Sequence, residues 1–377
     1  MKPALLLQVL AIFLLGCAGP AKRPFVLGLY DVPEEALSQV KEAGFDVVTG
    51  EANASFLEAA HKAELKVLAT SLVLIPGGSG ASVQDQLQKF DRHPALWGWY
   101  LTDEPDMRDV PPAKVDAAAH FVQRRTQRPG VVTIASGNAA RLYGRECDLL
   151  FVDFYPVPWA PVSRFAKEMR MAGAARGEKP YSAVVQAFDW THFSDVLGQT
   201  NNLRLPTIGE VRCMAYLALA LEARGLFFYS HTTRAWRLVE SALWPDLKIL
   251  LAELRRVAPI FNDGPVWFPS EFEYHDPSRM YNEVHEGAIL PRLFKVSKKT
   301  GGMEFGYYFV LINTTGEAVG YDLRLPFMDV DAVRVGKETL PLQDGWLRGT
   351  YAPYEVVVLG PITSKPVESM VEQGLFR

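Results

Sequence analysis

Asp103 and Glu104 stand side by side immediately before Pro105, at the end of the apolar run Leu96-Trp97-Gly98-Trp99-Tyr100-Leu101. Two adjacent carboxyls suit proton transfer, because charge on one disfavours ionisation of the other and keeps a proton available near neutral pH. The indoles of Trp97 or Trp99 offer apolar cover that acts in the same direction. Acids, amides, hydroxyls and aromatic rings recur just after other short apolar runs: Tyr30 and Asp31, Glu51, Ser136 and Asn138, Asp153 and Tyr155, Gln186 with Asp189 and Trp190, and Tyr229 with His231. Carboxylates and amides bind hydroxyl groups, and aromatic faces stack on the C–H surfaces of a pyranose, so the set suits a sugar. Each acid alone has a plainer use as a helix cap or loop brace. Their joint recurrence is what points to a binding site.

Such residues act together only if the chain brings them to one place. From Phe25 to about Asn262 the sequence alternates short apolar runs with helical patterns. Strands are predicted over 25–30, 45–49, 66–70, 96–101, 130–134, 148–154, 181–187 and 226–229. Helices are predicted over 33–44, 54–64, 83–90, 112–127, 139–143, 162–175, 207–224 and 244–257. Pro33 and Gly44 are the start and stop signals of the first helix, and a Gly-rich segment, 76–80, precedes the third. Strands this apolar are buried on both faces, and strict strand–helix alternation predicts a parallel sheet. Eight units predict a (β/α)₈ TIM barrel spanning 24–263. A doubly wound sheet would want a Gly-rich phosphate turn after the first strand, and Tyr30-Asp31-Val32-Pro33 is no such turn. In a barrel, residues just beyond the C-terminal strand ends converge on one face, which gathers the candidates named above.

After Gly264 the pattern changes. Strands are predicted over 305–312, 321–325, 332–335, 346–347 and 354–359, separated by turn signals such as Thr315-Gly316 and Asp344-Gly345. This predicts a small antiparallel β-sandwich over 265–363 and a short tail, 364–377.

The chain has 377 residues, of which 22% are charged and 49% apolar, with a formal net charge of −4. That is a globular mixture without a long basic run, so no nucleic-acid partner is expected. Cys147 and Cys213 lie in apolar surroundings and read as two unpaired buried thiols. Neither has the spacing of a metal site, and no two His residues share helical ligand spacing, so no metal and no cofactor is expected. Ser136 and Ser230 lack a glycine elbow. Glu210 opens a helix, where an acid favours the N-terminal dipole.

At the N-terminus, Lys2 precedes a run from Ala4 to Leu15 broken only by Gln8, too short to span a membrane and suited to a secretory signal. It ends in Leu14-Leu15-Gly16-Cys17, which resembles the lipobox of bacterial lipoproteins. The resemblance implies cleavage before Cys17, lipid on its thiol, and a membrane anchor in the cell envelope. In a Gram-negative cell this is the outer membrane, since Ala18 and not Asp follows the cysteine.

The segment His93-Pro94-Ala95-Leu96-Trp97-Gly98-Trp99-Tyr100-Leu101-Thr102-Asp103-Glu104-Pro105 resembles the fourth strand of retaining glycoside hydrolases of clan A and their relatives. The resemblance covers the barrel and loosely the sandwich. It implies that Glu104 is a general acid/base that protonates a leaving glycosidic oxygen. Two departures stand out. Asp103 replaces the clan's Asn, and Gln186 stands where the clan places a nucleophilic Glu on strand seven, although an amide forms no glycosyl ester. Asp103-Glu104 is similar to the Asp-Glu pair of hexosaminidase families 20 and 123, in which the substrate's own acetamide attacks and the Asp orients it. That similarity implies Tyr155 or Tyr229 as a partner of the acetamide oxygen. Adjacent strand residues face opposite ways, so both acids enter one site only if the strand ends at Asp103. Asp153 or Asp189 as the partner carboxylate of an inverting enzyme is a second expectation. A glycan-binding lipoprotein without catalysis is a third, favoured by Gln186. In a further reading the sandwich is the functional module and the barrel its scaffold. The expectation is that the sandwich braces the barrel.

Overall fold

The structure, a computed structural model, describes residues 25–70, 80–177, 179–198, 201–266, 271–274, 288–324, 332–335, 338–342 and 346–362. The signal segment with Cys17, most of the Gly-rich segment and the tail lie outside the described residues.

Eight parallel strands close into a barrel in sequence order: β1 (Val26–Leu29), β2 (Val47–Gly50), β3 (Lys66–Ala69), β4 (Leu96–Asp103), β5 (Gly130–Ile134), β6 (Leu149–Val152), β7 (Tyr181–Gln186) and β8 (Gly225–Tyr229), which pairs back to β1. A helix follows each strand: α1 (Leu37–Ala43), α2 (Ala54–Lys62), α3 (Gly80–Phe90), α4 (Pro112–Gln123), α5 (Ala140–Tyr143), α6 (Val162–Arg176), α7 (Ile208–Ala220) and α8 (Leu243–Val257). The helix expected from Pro33 begins as a 3₁₀ turn, Glu34–Ala36, and ends at Gly44, whose φ of 105° is the left-handed stop a glycine accommodates.

The bore is packed, not open. Tyr30, Leu68, Tyr100, Val131, Phe151, Val184 and Phe227 form its inner cluster. Gly28 makes room for it, since a Cβ there would stand 2.2 Å from the Phe227 ring. Outside, the strands' other faces and the helices share a second cluster.

β4 is longer than its sequence signal and carries one extra residue against each neighbour. Val67 and Leu68 of β3 face Leu96 and Gly98, while Val131 and Val132 of β5 face Tyr100 and Thr102. Such bulges re-aim side chains along a strand. Here they turn Trp99 outward, where its indole donates to Asp91 Oδ1 at 2.9 Å, and Tyr100 inward. Trp97 packs toward Phe227, 6.0 Å between rings, near the opposite end of β4 from Glu104. Neither indole supplies the cover expected for Glu104.

The C-terminal part is two antiparallel sheets. One has the order β9 (Pro265–Val266), β11 (Ile289–Val296), β12 (Gly306–Asn313), β17 (Val356–Ile362), β14 (Ala332–Val335), β15 (Glu338–Pro341). The other has the order β10 (Glu271–Tyr274), β13 (Val319–Arg324), β16 (Trp346–Tyr351). β9, β10, β11 and β15 carry no strand prediction above. Pro291 interrupts the signal of β11, and it falls outside the stretch, Leu293 and Phe294, that β9 pairs with, where a missing N–H is tolerated. β12 is buried along its whole length. Tyr307, Phe309 and Leu311 face the second sheet, while Tyr308, Val310 and Ile312 join the barrel's outer cluster. α7 lies between the first of these sheets and β7–β8 and is mostly apolar and buried, with its two charged side chains, Glu210 and Arg212, held in ion pairs. Its first turn is a capping box of Thr207 and Glu210, with Arg204 donating to both Glu210 oxygens at 2.7 and 2.6 Å. Burial raises the Glu210 carboxyl, but these hydrogen bonds outweigh it and hold the group below the usual range. Cys147 and Cys213 are both buried free thiols.

Candidate active site

β4 ends at Asp103, and Glu104 adopts a φ of 42°. That left-handed residue breaks the alternation that would point the two carboxyls apart. Both now reach one guanidinium: Arg108 Nη2 lies 2.7 Å from Asp103 Oδ2 and 3.8 Å from Glu104 Oε2. The other Asp103 oxygen accepts from Tyr100 OH at 2.7 Å. Asp103 is therefore held from below by a phenol and from the rim by an arginine.

Asp153, just past β6, is buried against Glu104. The two side chains are within hydrogen-bonding reach, while Asp153 Oδ1 has no partner among the described residues. Burial, then the negative charges of Glu104, Asp103 and Asp106, push the Asp153 carboxyl well above the ordinary range. Burial and Asp103 also raise Glu104, opposed by Arg108 and by the hydrogen bond from Asp153. Asp106 supports the loop between them by accepting from the backbone N–H groups of Ala135 and Ser136 at 3.2 and 3.1 Å. Asp31 closes the acidic group from β1. It is exposed to solvent on one side, and desolvation on the other, with the charge of Asp103, pushes it up to about 6.

Aromatic rings wall the carboxyls. Tyr30 is edge-on to Tyr100 and Tyr229, at 6.2 and 5.7 Å, and is buried as the floor of the cup. Tyr155 stacks on Tyr229, with 5.7 Å between centroids and 27° between planes, and Phe188 meets both edge-on at 5.2 Å. Burial keeps the Tyr30, Tyr100 and Tyr155 phenols far above 10, and Tyr229 at about 12, so all four are proton donors at neutral pH. The wall continues through Trp190, 4.7 Å from Phe188, to Trp159, 4.6 Å from Trp190, which is 47% exposed.

The structure thus brings together Asp103, Glu104, Asp153, Tyr30, Tyr155, Tyr229 and Asp31, with Trp190 in the adjoining wall. Five other candidates serve elsewhere. The Gln186 side chain is fully buried and clamps one residue of the β6–α6 loop, accepting from Val157 N–H at 3.1 Å and donating to Val157 C=O at 2.8 Å. Asp189 caps the short turn Trp190–Phe193, accepting from Thr191 N–H at 2.8 Å. His231 is turned into the fold, with Nδ1 2.8 Å from Thr232 Oγ1, and desolvation holds it down at about 4, so the ring is neutral. Glu51 is exposed past β2. Ser136 is taken up by Glu168 of α6, whose Oε2 accepts from its hydroxyl at 3.2 Å.

Arg108, Asp106, Tyr100 and Trp159 escaped sequence reasoning. Tyr100 lies within β4, where plain alternation assigns the wrong face once a bulge intervenes. Trp159 and Arg108 lie several residues beyond a strand end, past the positions that a strand-end rule inspects.

No family model and no curated protein matches the sequence. Solved structures do match in shape. An Anoxybacillus alpha-amylase superposes with a TM-score of 0.53 at 13% identity, covering 88% of this chain and 90% of that one. A structure described as a glycoside hydrolase gives 0.57 at 10% identity over 91% and 94%. A glycoside hydrolase family 5 protein of Bacteroides vulgatus gives 0.55 at 10% over 92% and 93%. The fold is shared with glycoside hydrolases. The coverage extends through barrel and sandwich together, and at these identities the likeness is one of fold.

Proposed function

We propose that this chain is an exported, lipid-anchored glycoside hydrolase that cuts an oligosaccharide, with Glu104 as general acid/base. The observation that supports it best is the Glu104–Asp153 contact: a half-buried carboxyl whose hold on a proton is strengthened by burial and by Asp103, at the C-terminal mouth of the barrel, in a cup of phenols and indoles. Hydrogen-bonding contact is closer than either the ~5–5.5 Å of a retaining pair or the ~6.5–9.5 Å of an inverting pair. The contact argues against Asp153 as the residue across the scissile bond. Gln186 is engaged by Val157 and Asp189 by Thr191, so the attacking oxygen comes from water or from the substrate itself. The substrate-assisted version has Asp103 orient a 2-acetamido group, with Tyr155 or Tyr229 on its oxygen. Cys17 as the lipidated residue places the protein in the cell envelope, at the outer membrane of a Gram-negative cell.

The test is a panel of aryl glycosides, each 2-acetamido sugar paired with its 2-hydroxy analogue. Glu104→Gln is expected to keep its fold and lose at least about 100-fold in turnover. Unchanged turnover removes Glu104 from the mechanism. Equal rates on paired sugars remove substrate assistance.

One observation favours a second reading, a lectin-like lipoprotein on the same barrel: Arg108 neutralises Asp103 and Glu104 together, and strand seven contributes a clamp in place of a carboxylate. Calorimetric binding of an oligosaccharide with no product by chromatography after long incubation selects that reading.

A further inference from the structure

Asp153 is 8% exposed, and the strongest charges acting on it, Glu104, Asp103 and Asp106, are all negative. The nearby cation, Arg108, is 47% exposed and stands against Asp103 and Glu104. Asp153's backbone N–H goes to Ile134 C=O at 3.0 Å, and its Oδ1 is left without a partner among the described residues. The side chain in contact with its carboxyl is that of Glu104. Two carboxylates in contact inside a partly closed cup repel, and low local polarity strengthens the repulsion. A proton between them converts that repulsion into a charge-assisted hydrogen bond.

We propose that Asp153 is the proton-holding partner of Glu104, the two carboxyls keeping a single proton between them in the resting site. Burial decides where it rests. The neutral form belongs on enclosed Asp153, and the charge belongs on Glu104, which is 30% exposed and faces Arg108. Asp153 O–H then donates to a Glu104 oxygen. Resting on the hydrolase reading, the pair works as one acid. The proton crosses to Glu104 and leaves Asp153 as carboxylate. Glu104 gives it to the glycosidic oxygen as the C–O bond breaks with its electrons on that oxygen. The attacking water loses a proton to the pair, which restores the starting count. Asp153 is a positioning residue, acting through Glu104 and not on the sugar.

The other groups facing the pair are Asp103, Asp106 and Arg108 at and beyond the end of β4, Tyr30 from β1, Tyr100 from β4, Tyr155 from β6 and Tyr229 from β8, with Asp31 next to Asp103 and Tyr229. The phenols stay protonated through neutral pH, so they add no step to a titration of the two carboxyls.

The experiment is a carboxyl ¹³C NMR titration of the full chain labelled at Asp and Glu. In the wild type, Glu104 and Asp153 are expected to show the same two midpoints, the second at or above neutral pH, because a strongly coupled pair titrates in shared steps. In Asp153→Asn, Glu104 should collapse to one step moved down toward the ordinary glutamate range. Separate single midpoints in the wild type, or an Asp153 signal of a carboxylate at pH 7, overturn the proposal without any variant having to fold. No sugar is needed, so the two ideas separate. Shared steps with no glycoside cleaved leave the pair standing and remove the hydrolase reading. Cleavage with independent steps does the reverse.

Discussion

At the scale of the residue, Asp153 and Glu104 are acids whose ordinary state at neutral pH is the charged one, brought by the fold to a place that opposes it. A carboxyl with a folded-state pKa above its unfolded value binds its proton more tightly when folded. Its contribution is fully favourable below the unfolded value, about 3.9 for Asp, and is lost as pH rises through the folded value. Asp153→Asn removes that loss and keeps the shape. Its Tm at pH 7 should rise by roughly 2–4 °C per kcal/mol gained, with the gain vanishing below about pH 4, as scanning calorimetry at the two pH values would read. No gain at pH 7 would mean that the buried carboxyl is satisfied by groups not named above. Asp31, pushed up to about 6, has the same sign over a narrower window. Between pH 7 and pH 4 the wild type should take up a proton near pH 6 that Asp31→Asn does not, measured by potentiometric titration against that variant.

At the scale of the element, strand seven shows how one position can change use. Gln186 sits at the end of β7, where the clan resemblance places a nucleophile, and its amide instead satisfies both backbone groups of Val157. An amide accepts and donates there without any change of protonation. Gln186→Ala leaves a buried N–H and C=O unpaired, at about 1–3 kcal/mol each, and denaturant unfolding should read the sum. Gln186→Glu accepts from Val157 N–H but sets a carboxylate against its C=O. It should lower stability, and it should not raise glycosidase turnover. A gain in turnover would show that the position still faces the reaction. Because the clamped loop carries Tyr155 on one side and Trp159 on the other, loosening it should also weaken oligosaccharide binding, seen as reduced quenching of Trp fluorescence.

At the scale of the molecule, barrel and sandwich share a core. Phe294 of β11 meets Phe261 of the barrel edge-on at 4.9 Å, Arg212 of α7 donates to Val356 C=O at 3.1 Å, and Cys213 points at Asn313 C=O. α7 is covered by strands on one side and by the sandwich on the other, so removing the sandwich would bare an apolar helix. Phe294→Ala should cost about 3–5 kcal/mol and move a single unfolding transition common to both parts. Two separable transitions, with only the sandwich's displaced, would show that the parts fold independently.

Strand–helix alternation, apolar strands and the Asp-Glu-Pro ending of β4 were legible from the sequence, because local period and turn chemistry are written residue by residue. So were the change of pattern after Gly264 and the convergence of Tyr30, Asp31, Asp103, Glu104, Asp153, Tyr155 and Tyr229 on one mouth, since a barrel gathers its strand ends. The partner of Glu104 was not, because Asp153 and Asp189 look alike in one dimension and differ only in what surrounds them. The fate of Gln186 was equally hidden, since a clamp and a failed nucleophile have the same side chain. Continuous burial of β12 came from a third layer that the sandwich pattern does not announce. Bulges in β4 reversed the facing of Trp99 and Tyr100, and a left-handed φ at Glu104 set two neighbouring acids on one side. Each of these depends on contacts between residues far apart in the chain, and only packing in three dimensions decides them.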